Sequence, residues 1–296
     1  MKLNYLPGCT LKTRATELDT TTVAAMEKLG IELEELPRWN CCGTVYCFAE
    51  DDLMHQIAPV RNLIRAQEQG GGKLVTVCSF CYNTLKRASL LMENDEEKLN
   101  ILNDFMDEEP DYTRSVSVVH LLELIRDDIG WEEVARHVEN PLKGLKVAPY
   151  YGCTLHRPKE AAIEPADNRT VLPDLLKTLG ADAVKFPDED KCCGSYQVVA
   201  NPQIPLNRAR EILNSAREKG AEVLCVSCPL CECNLRQMQI KLREEEGFRE
   251  LPIIYFTQLM ALAFGLESSL CQCEASVADA SPVLENKGIL PARSKA

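Results

Sequence analysis

The sequence has no long hydrophobic run and has fewer basic than acidic residues. No apolar stretch approaches the roughly 18 to 20 residues of a membrane-spanning helix, so no transmembrane segment is expected. The N-terminal MKLNYLPGCT leads straight into a strand-like segment without a signal-peptide hydrophobic region, which predicts a cytoplasmic protein. Lys and Arg number 33 against 45 Asp and Glu. The net charge of -12 argues against a surface for nucleic acid or anionic membrane.

Nucleotide-binding motifs are absent as well. The chain contains neither G-x-G-x-x-G nor G-x-x-x-x-G-K-[ST]. The glycines at 70–72 are better explained as a helix stop than as a phosphate-binding loop. Any flavin or nucleotide is therefore expected on another protein of the same complex. Histidine is scarce, and His55, His120 and His137 lie within helical patterns that favour packing or surface roles.

Cysteine, by contrast, is abundant, and ten of the 15 cysteines belong to a five-cysteine pattern that occurs twice in the chain. Each copy has a single Cys, a Cys-Cys-Gly and a Cys-x-x-Cys. The gaps are 31 and 35 residues in the first copy and 38 and 34 in the second. The first copy consists of Cys9, Cys41, Cys42, Cys78 and Cys81, and the second of Cys153, Cys192, Cys193, Cys228 and Cys231.

Five cysteines per copy point to metal or redox chemistry, since disulfide frameworks are typical of small secreted chains. A structural zinc takes four ligands, and an ordinary 4Fe-4S cube takes one thiolate per iron, so each leaves one cysteine over. Adjacent cysteines beside a glycine turn bring two sulfurs together, which suits a cluster with a thiolate bridging irons. Zinc in one copy and a conventional cluster with a spare thiol remain as alternatives.

Strands and helices also alternate in the same order in the two halves. The first half has strand patterns at 2–9, 31–36 and 73–77 and helix patterns at 14–29 and 51–69. The second has strand patterns at 145–151, 183–186 and 221–226 and helix patterns at 171–179 and 205–219. Segments 115–125 and 251–262 both run from an extended stretch into an apolar helix.

This alternation predicts an α/β fold of two tandem, similar domains, each with a small parallel sheet and one iron–sulfur cluster. The cysteines are expected at the carboxyl ends of strands, where such sheets place their ligands. The predicted domains are 1–142 and 143–265, followed by a flexible tail or docking arm at 266–296. The acidic segment 94–112 favours a solvated insertion or helical face.

The doubled cysteine pattern resembles the catalytic B subunit of heterodisulfide reductase, a duplicated CCG cysteine-rich domain protein, from Lys2 to about Gly265. The resemblance implies that each repeat binds a non-cubane 4Fe-4S cluster through its five cysteines. The gap between Cys193 and Cys228 is slightly short for the family. Five further cysteines have no matching role: Cys47, Cys225, Cys233, Cys271 and Cys273.

In that family, a disulfide such as the coenzyme M and coenzyme B heterodisulfide lies between the two clusters and is reduced by one-electron steps. The resemblance therefore implies a disulfide reductase acting on a small disulfide or thiol substrate. It also implies two partners in the same complex, an iron–sulfur protein similar to the C subunit of the family and a flavin protein similar to its A subunit. Two clusters at one cleft match a disulfide, which has two similar ends and takes two electrons.

A second function from another class stays open. Related cysteine-rich domains occur in quinone-linked fumarate, glycolate, lactate and glycerol-phosphate oxidoreductases. The chain would then be an electron-transfer or docking subunit with a quinone or other non-disulfide acceptor. A solvent-open cavity between the two cysteine sets favours the enzyme.

Reduction of a disulfide also needs protons, so a donor or cation near the cleft is expected. Five residues near the cysteines are candidates, although surface or tuning roles explain them as well. They are Lys12, Arg14, His156, Arg157 and Lys191.

Overall fold

The computed structural model describes residues 1–44, 53–273 and 278–291. Within these ranges the strands form two four-stranded sheets with the orders β2-β1-β3-β4 and β6-β5-β7-β8. Every strand pairing is parallel, and β1 and β5 hold the same position in their sheets. The predicted α/β fold with an internal duplication is confirmed.

The N-terminal repeat contains the first sheet and the helices that connect its strands. Its strands are β1 (Lys2–Tyr5), β2 (Glu32–Glu35), β3 (Gly72–Thr76) and β4 (Val116–His120). Its helices are α1 (Thr16–Lys28), α2 (Ile57–Glu68), α3 (Ser79–Asn94), α4 (Glu96–Phe105), α5 (Leu121–Leu124) and α6 (Trp131–Arg136). A 3-10 turn at Leu53–Gln56 precedes α2, and a π-helical turn at Ile125–Ile129 follows α5.

The C-terminal repeat follows the same course around the second sheet. Its strands are β5 (Lys146–Tyr150), β6 (Asp182–Ala183), β7 (Val223–Val226) and β8 (Ile253–Tyr255). Its helices are α7 (Val171–Thr178), α8 (Gln203–Glu218), α9 (Pro229–Leu242) and α10 (Phe256–Ala263), with α11 (Ser268–Cys271) and α12 (Ser281–Asn286) beyond them. Short 3-10 turns occupy Lys159–Ala161 and Ser195–Gln197.

The central strands are apolar because helices cover both faces of a parallel sheet. All four residues of β7 are buried, as are the last three of β3. Strands β4 and β8, which hold the same edge position in their sheets, end in the same local motif. The amide of His120 donates to the Glu123 side chain at 2.9 Å, and the amide of Tyr255 donates to the Gln258 side chain at 2.7 Å. These bonds fix the start of α5 and α10 in equivalent ways.

The two repeats pack against each other through buried polar contacts as well as apolar ones. The hydroxyls of Thr21 in α1 and Thr257 in α10 lie 2.8 Å apart, and both residues are fully buried. The side-chain amide of Asn83 in α3 donates to the carbonyls of Thr154 and Arg157, each at 2.8 Å. The loop that follows Cys153 is thus fastened to a helix of the other repeat.

Several predicted elements differ from those observed. The sequence patterns did not predict α3 and α9, which begin within the Cys-x-x-Cys motifs and carry buried polar residues that obscure their periodicity. Strand β6 has only two residues, where 183–186 was expected. The segment 94–112 contains α4, whose first turn is capped by the Asp95 side chain. Beyond residue 265, α11 and α12 are helical; a docking role for this segment stays a prediction.

Candidate functional site

Each Cys-x-x-Cys motif stands at the start of a helix. Cys78 is the N-cap of α3 and Cys228 is the N-cap of α9. A contact with the Cys81 thiol lowers the pKa of Cys78, and the amides of Cys81 and Phe80 lower it further. Helix N-termini favour negative charge because their first amides have no partner within the helix. Both turns are therefore suited to hold a thiolate.

In the N-terminal repeat, the five predicted ligands form an arc of sulfur atoms. The sulfurs of Cys9 and Cys41 lie 3.6 Å apart. Contacts then run from Cys41 to Cys42, from Cys42 to Cys81 and from Cys81 to Cys78. The Cys41 contact, reinforced by Cys81, lowers the pKa of Cys42, whereas the contact with Cys42 raises the pKa of Cys81. We call this set the N-terminal arc.

The second repeat has the equivalent C-terminal arc, formed by Cys153, Cys192, Cys193, Cys231 and Cys228. The sulfurs of Cys193 and Cys231 lie 3.5 Å apart. Contact with the Cys153 thiol lowers the pKa of Cys192 to about 6, helped by the Gly194 amide and by nearby arginines. The same contact raises the pKa of Cys153. One thiol of the pair therefore stabilises the thiolate of the other.

A glycine precedes the first cysteine of each arc and lies close to a sulfur of the Cys-x-x-Cys motif. A Cβ at Gly8 would lie 2.8 Å from the Cys81 sulfur, and one at Gly152 would lie 3.1 Å from the Cys231 sulfur. Both glycines also have a positive φ, of 82° and 67°. A side chain at either position would occupy the space that the arc encloses.

The two arcs meet near the interface of the repeats. Burial raises the pKa of Cys228, and negative charge on Cys78 of the other repeat raises it further. The residues beside them, Ser79 and Ser227, are fully buried, and their hydroxyls lie 2.9 Å apart. The two ends of the arcs are therefore neighbours across the interface.

A cavity of about 300 Å³ lies against the N-terminal arc. All five of its cysteines line the cavity, and Ser195, Tyr196 and Leu230 of the C-terminal repeat line it from the other side. Phe80, Thr10 and Thr44 complete the described wall. Cys9 and Cys41 are exposed, so this arc is open to solvent. The fold therefore brings the predicted ligands together and adds a space that both repeats share.

The wall residues Phe80 and Leu230 were not predicted from the sequence. Each is the third residue of its Cys-x-x-Cys motif, so the two occupy equivalent positions in the repeats. They line one cavity, and the two helix starts are neighbours, since the hydroxyls of Ser79 and Ser227 lie 2.9 Å apart. An alignment of the two repeat sequences would have shown that Phe80 and Leu230 occupy equivalent positions. Ser195 and Tyr196 directly follow the second Cys-Cys-Gly, but nothing in the sequence indicated that they reach the other repeat.

Most of the cationic candidates near the cysteines have carboxylate partners. Lys12 pairs with Asp19 at 2.8 Å and Glu35 at 2.7 Å. Lys191 pairs with Asp188 at 3.0 Å and Glu211 at 2.8 Å, and Arg157 pairs with Asp190 at 2.8 Å. Arg14 lines a separate cavity of about 210 Å³ near Glu232 and Arg236. None of these side chains is among the described lining of the shared cavity.

His156 is buried within its own repeat. Its Nε2 lies 3.6 Å from Glu164 Oε1, and its ring centroid lies 4.7 Å from that of Tyr151. Glu164 in turn accepts hydrogen bonds from the amides of Thr170 and Val171 at the start of α7. His156 therefore contacts residues that shape the loop after Cys153, and it is not in the described lining of the shared cavity.

The cysteines outside the pattern either lie apart from the arcs or fall outside the described residues. Burial alone raises the pKa of Cys225 in β7, with no contribution from another cysteine. Cys233 is half-buried in α9. Cys271 and Cys273 are buried in the segment after residue 265. Cys47 lies outside the described residues.

The sulfur atoms of each arc follow one another in a chain. In the described ranges, no three His, Cys, Asp or Glu side chains surround one point as ligands of a single ion would.

A separate property concerns the helices: among those in the described part of the chain, none combines the length and apolar character that crossing a membrane requires.

Comparison with known proteins finds the cysteine-rich domain CCG twice in this chain, at residues 3–86 and 147–236. The chain is 31% identical over 285 residues to the 8-methylmenaquinol:fumarate reductase membrane anchor subunit of Wolinella succinogenes. That match covers 94% of this chain and 97% of the relative. This chain is also 28% identical to the B subunit of the ferredoxin/F(420)H(2)-dependent CoB-CoM heterodisulfide reductase of Methanosarcina acetivorans, with 89% of each chain covered.

A solved structure shares the fold. It is a hypothetical protein from Helicobacter pylori, which matches 93% of this chain with a TM-score of 0.75 and 14% sequence identity. This chain spans about half of that protein, 51% of its length. The two matched domains and the relatives agree with the doubled cysteine pattern, and the predicted resemblance is confirmed. The chain is a duplicated CCG cysteine-rich domain protein of the family that includes the heterodisulfide reductase B subunits.

Proposed function

We propose that this chain is the catalytic iron–sulfur subunit of a disulfide reductase of the heterodisulfide reductase type. An iron–sulfur cofactor and an oxidoreductase role are supported by the family match and by the relatives in heterodisulfide reductase complexes. The finer proposal is that each arc binds one non-cubane 4Fe-4S cluster and that a disulfide is reduced beside them. The observation that carries it is the cavity lined by all of the N-terminal arc and by three residues of the C-terminal repeat.

The residues of each arc suit a cluster of several irons. The sulfurs of Cys9 and Cys41 lie 3.6 Å apart and those of Cys193 and Cys231 lie 3.5 Å apart, well beyond the roughly 2.05 Å of a disulfide bond. Each arc also has three buried thiols, and thiolates buried together require a compensating cation. Gly8 and Gly152 keep the enclosed space free of a Cβ. Iron would supply the missing positive charge.

The proposed reaction adds two electrons and two protons to a disulfide, breaks its S–S bond and releases two thiols. Bound clusters would supply single electrons, received from an iron–sulfur donor protein that a flavin protein serves. The chain itself would hold the disulfide in the cavity. Phe80 and Leu230 would exclude water from the sulfur atoms, while the hydroxyls of Thr10, Thr44 and Ser195 would offer hydrogen bonds to the departing thiolates.

Cysteine substitutions with a matched control test this function. The complex is purified without oxygen, reduced with viologen and supplied with small disulfides, and the released thiols are counted against the electrons consumed. Cys81→Ser should abolish thiol release and lower the iron content, because it removes a contact to two neighbours in its arc. Cys225→Ser should leave both unchanged, because Cys225 is equally buried but outside the arcs. Equal losses in the two variants would contradict the ligand assignment.

A second candidate function has its own supporting observation. The relative from Wolinella succinogenes belongs to a menaquinol:fumarate reductase, and its similarity extends over nearly the whole chain. On this alternative, the chain transfers electrons between a quinol and a partner protein and no disulfide is cleaved. Oxidation of a water-soluble menaquinol analogue by the intact complex, without thiol release from any disulfide, would favour it.

A further inference from the structure

The carbonyl of the residue before each Cys-Cys-Gly motif accepts a hydrogen bond, but the donor differs between the repeats. In the N-terminal repeat, the side-chain amide of Asn62 in α2 donates to the carbonyl of Asn40 at 2.9 Å. In the C-terminal repeat, the hydroxyl of Tyr150 at the end of β5 donates to the carbonyl of Lys191 at 2.6 Å. Asn40 and Lys191 are equivalent because each directly precedes its pair of cysteines. The start of the Cys-Cys-Gly turn is therefore held in both repeats.

Tyr150 has an aliphatic counterpart in the N-terminal repeat. Leu6 and Tyr150 each lie three residues before the first cysteine of their arc. The strand register agrees, because the residue before each of them pairs with the residue three positions before its Cys-x-x-Cys motif. Both side chains are buried. The C-terminal repeat therefore has a phenol at a point where the N-terminal repeat has a hydrocarbon side chain.

The phenol of Tyr150 also borders the sulfur atoms of the C-terminal arc. A Cβ at Gly152 would lie 3.1 Å from the Cys231 sulfur and 3.9 Å from the Tyr150 hydroxyl oxygen, so both border the same small space. Burial raises the pKa of Tyr150 well above its usual value, and negative charge on Cys231 and three other cysteines of the arc raises it further. The side chain is therefore a neutral, polar group close to several of the predicted ligands.

We infer that Tyr150 is a positioning residue of the C-terminal arc and that its hydroxyl raises the reduction potential of the iron–sulfur group bound there. This inference rests on the proposal that each arc binds an iron–sulfur cluster. Through the carbonyl of Lys191, the phenol holds the turn that carries Cys192 and Cys193. Polar groups beside cluster sulfurs stabilise the added negative charge of the reduced state. The O–H of Tyr150 reorients toward that charge, whereas the side chain of Leu6 has no dipole to reorient.

The side chain of Lys191 is not the source of this effect. Its ammonium group pairs with Asp188 at 3.0 Å and with Glu211 at 2.8 Å, so its charge is balanced. Its backbone carbonyl is the part that connects Tyr150 to the arc. Because the phenol is buried, water screens its dipole little, and its effect on a neighbouring cluster is stronger than that of a group in solvent.

Redox titration of the anaerobically purified complex, followed by electron paramagnetic resonance, tests the inference. The iron signal that Cys81→Ser removes belongs to the N-terminal arc, so the remaining signal reports the C-terminal arc. Tyr150→Phe should shift the reduction equilibrium of the C-terminal signal by about tenfold toward the oxidised state, which equals about 59 mV for one electron. The N-terminal signal should keep its potential. An unchanged potential of the C-terminal signal would overturn the inference.

Asn62→Ala is the matched control for the loss of the hydrogen bond to the turn. It removes the equivalent bond in the N-terminal repeat without removing a phenol. The potential of the N-terminal signal should therefore change by less than the effect of Tyr150→Phe on the C-terminal signal. Equal shifts in the two variants would mean that the loosened turn alone changes the potential, and the role of the phenol would be wrong.

Replacement of Tyr150 by 3-fluorotyrosine keeps both the hydrogen bond and the fold. Fluorine withdraws electrons from the ring and makes the O–H a stronger donor, so the potential of the C-terminal signal should rise. This shift is opposite in direction to that of Tyr150→Phe. If Tyr150→Phe does not retain its iron, the fluorinated protein decides: a rise supports the inference, and an unchanged or lower potential overturns it.

The titration contains no disulfide, so its result is separate from disulfide reduction. If the complex reduces disulfides and Tyr150→Phe leaves both potentials unchanged, the proposed function stands and the inference fails. If the C-terminal arc of the unaltered protein gives no iron signal, the inference and the proposed pair of clusters fail together.

Discussion

The two repeats have the same arc of cysteines but expose it differently. In the N-terminal repeat, Cys9 and Cys41 are exposed, and a cavity opens beside them. In the C-terminal repeat, their counterparts Cys153 and Cys192 are half-buried. In both repeats the contact with the Cys-Cys-Gly motif raises the pKa of the first cysteine, Cys9 or Cys153. The duplication therefore preserves the cysteine pattern while one copy is open to solvent and the other is more enclosed.

The contacts that the helix after each Cys-x-x-Cys motif makes with the other repeat also differ. The helix after the first Cys-x-x-Cys fastens the loop after Cys153 through two hydrogen bonds from Asn83. The helix after the second motif has Cys233 at the equivalent position, and beside it Glu232 and Arg236 line a cavity of about 210 Å³. Burial raises the pKa of Glu232 to about 7. We therefore expect the loop of the enclosed arc to be the more rigid of the two.

The largest expected effect comes from filling the arcs at their glycines. Gly8→Ala would place a Cβ 2.8 Å from the Cys81 sulfur, and Gly152→Ala would place one 3.1 Å from the Cys231 sulfur. Because each variant blocks one arc, each should lose at most about half of the bound iron, and Gly8→Ala should come closer to that limit than Gly152→Ala. Iron analysis and electron paramagnetic resonance of anaerobically purified protein measure this.

Gly30→Ala is the control for backbone strain in that experiment. Gly30 has a similar positive φ of 74°, but a Cβ there meets nothing within 4 Å. It should keep its full iron content. Equal loss of iron in Gly30→Ala would mean that strain rather than the sulfur contact is responsible.

The next largest effect tests the fastening of the enclosed loop. Asn83→Ala leaves the carbonyls of Thr154 and Arg157 without their donor, and a buried unsatisfied group costs about 1 to 3 kcal/mol. Amide hydrogen exchange in segment 153–163 should accelerate accordingly. Cys233→Ala, at the equivalent position of the other repeat, should leave exchange in segment 9–19 almost unchanged. Similar acceleration in both loops would contradict the difference between the repeats.

A smaller effect concerns pH and the motif at the end of β4. His120 is fully buried, and burial lowers its pKa to about 3 from the usual 6.5. The unfolded chain therefore binds a proton below about pH 6.5 that the folded chain does not, so stability falls as the pH drops, by up to about 1.4 kcal/mol per unit. Tyr255, at the equivalent position of the C-terminal repeat, makes no such contribution in this range.

His120→Asn should flatten this pH dependence. The Leu122 amide donates a hydrogen bond to His120 Nδ1 at 3.2 Å. Asparagine can still accept that hydrogen bond, but it does not titrate. Thermal unfolding followed by circular dichroism at about pH 7 and about pH 5.5 measures the difference. His137→Gln, on a half-buried histidine in the same repeat, serves as the control. An unchanged pH dependence in His120→Asn would exclude His120 as its source.

The smallest effect concerns the contact between α1 and α10. Thr21→Val and Thr257→Val, singly and together, form a cycle around hydroxyls that lie 2.8 Å apart. The coupling should be about 0.5 to 1.5 kcal/mol, the usual net value of a buried hydrogen bond. Urea unfolding of the four proteins measures it. A coupling near zero would show that apolar packing alone holds the repeats at this point.

The duplication and the α/β class were predictable because short apolar strands and amphipathic helices carry strong local patterns. The start of α1 and its end at Gly30 were close to those predicted. Helices α3 and α9 were missed, since cysteines and buried polar residues such as Asn83 and Asn234 interrupt their apolar face. Strand β6 is shorter than its pattern because only Asp182 and Ala183 pair with β5.

The two cysteine sets were recognisable because their spacing repeats along the sequence. The shared cavity was not, because it depends on how the two repeats face each other. Tyr196 and Leu230 line a space beside cysteines more than a hundred residues away, and no local pattern encodes that contact. The partners of Lys12 and Lys191 were likewise invisible until the carboxylates near them in space were known.

The central claim is that two iron assemblies, one in each repeat, flank a single cavity. Diffraction from anaerobically grown crystals, recorded at the iron absorption edge, tests this most directly. We expect two groups of anomalous peaks, about four irons each, one within each arc and both adjoining the cavity at Phe80 and Leu230. A single group of irons, or two groups with protein filling the space between them, would contradict the account.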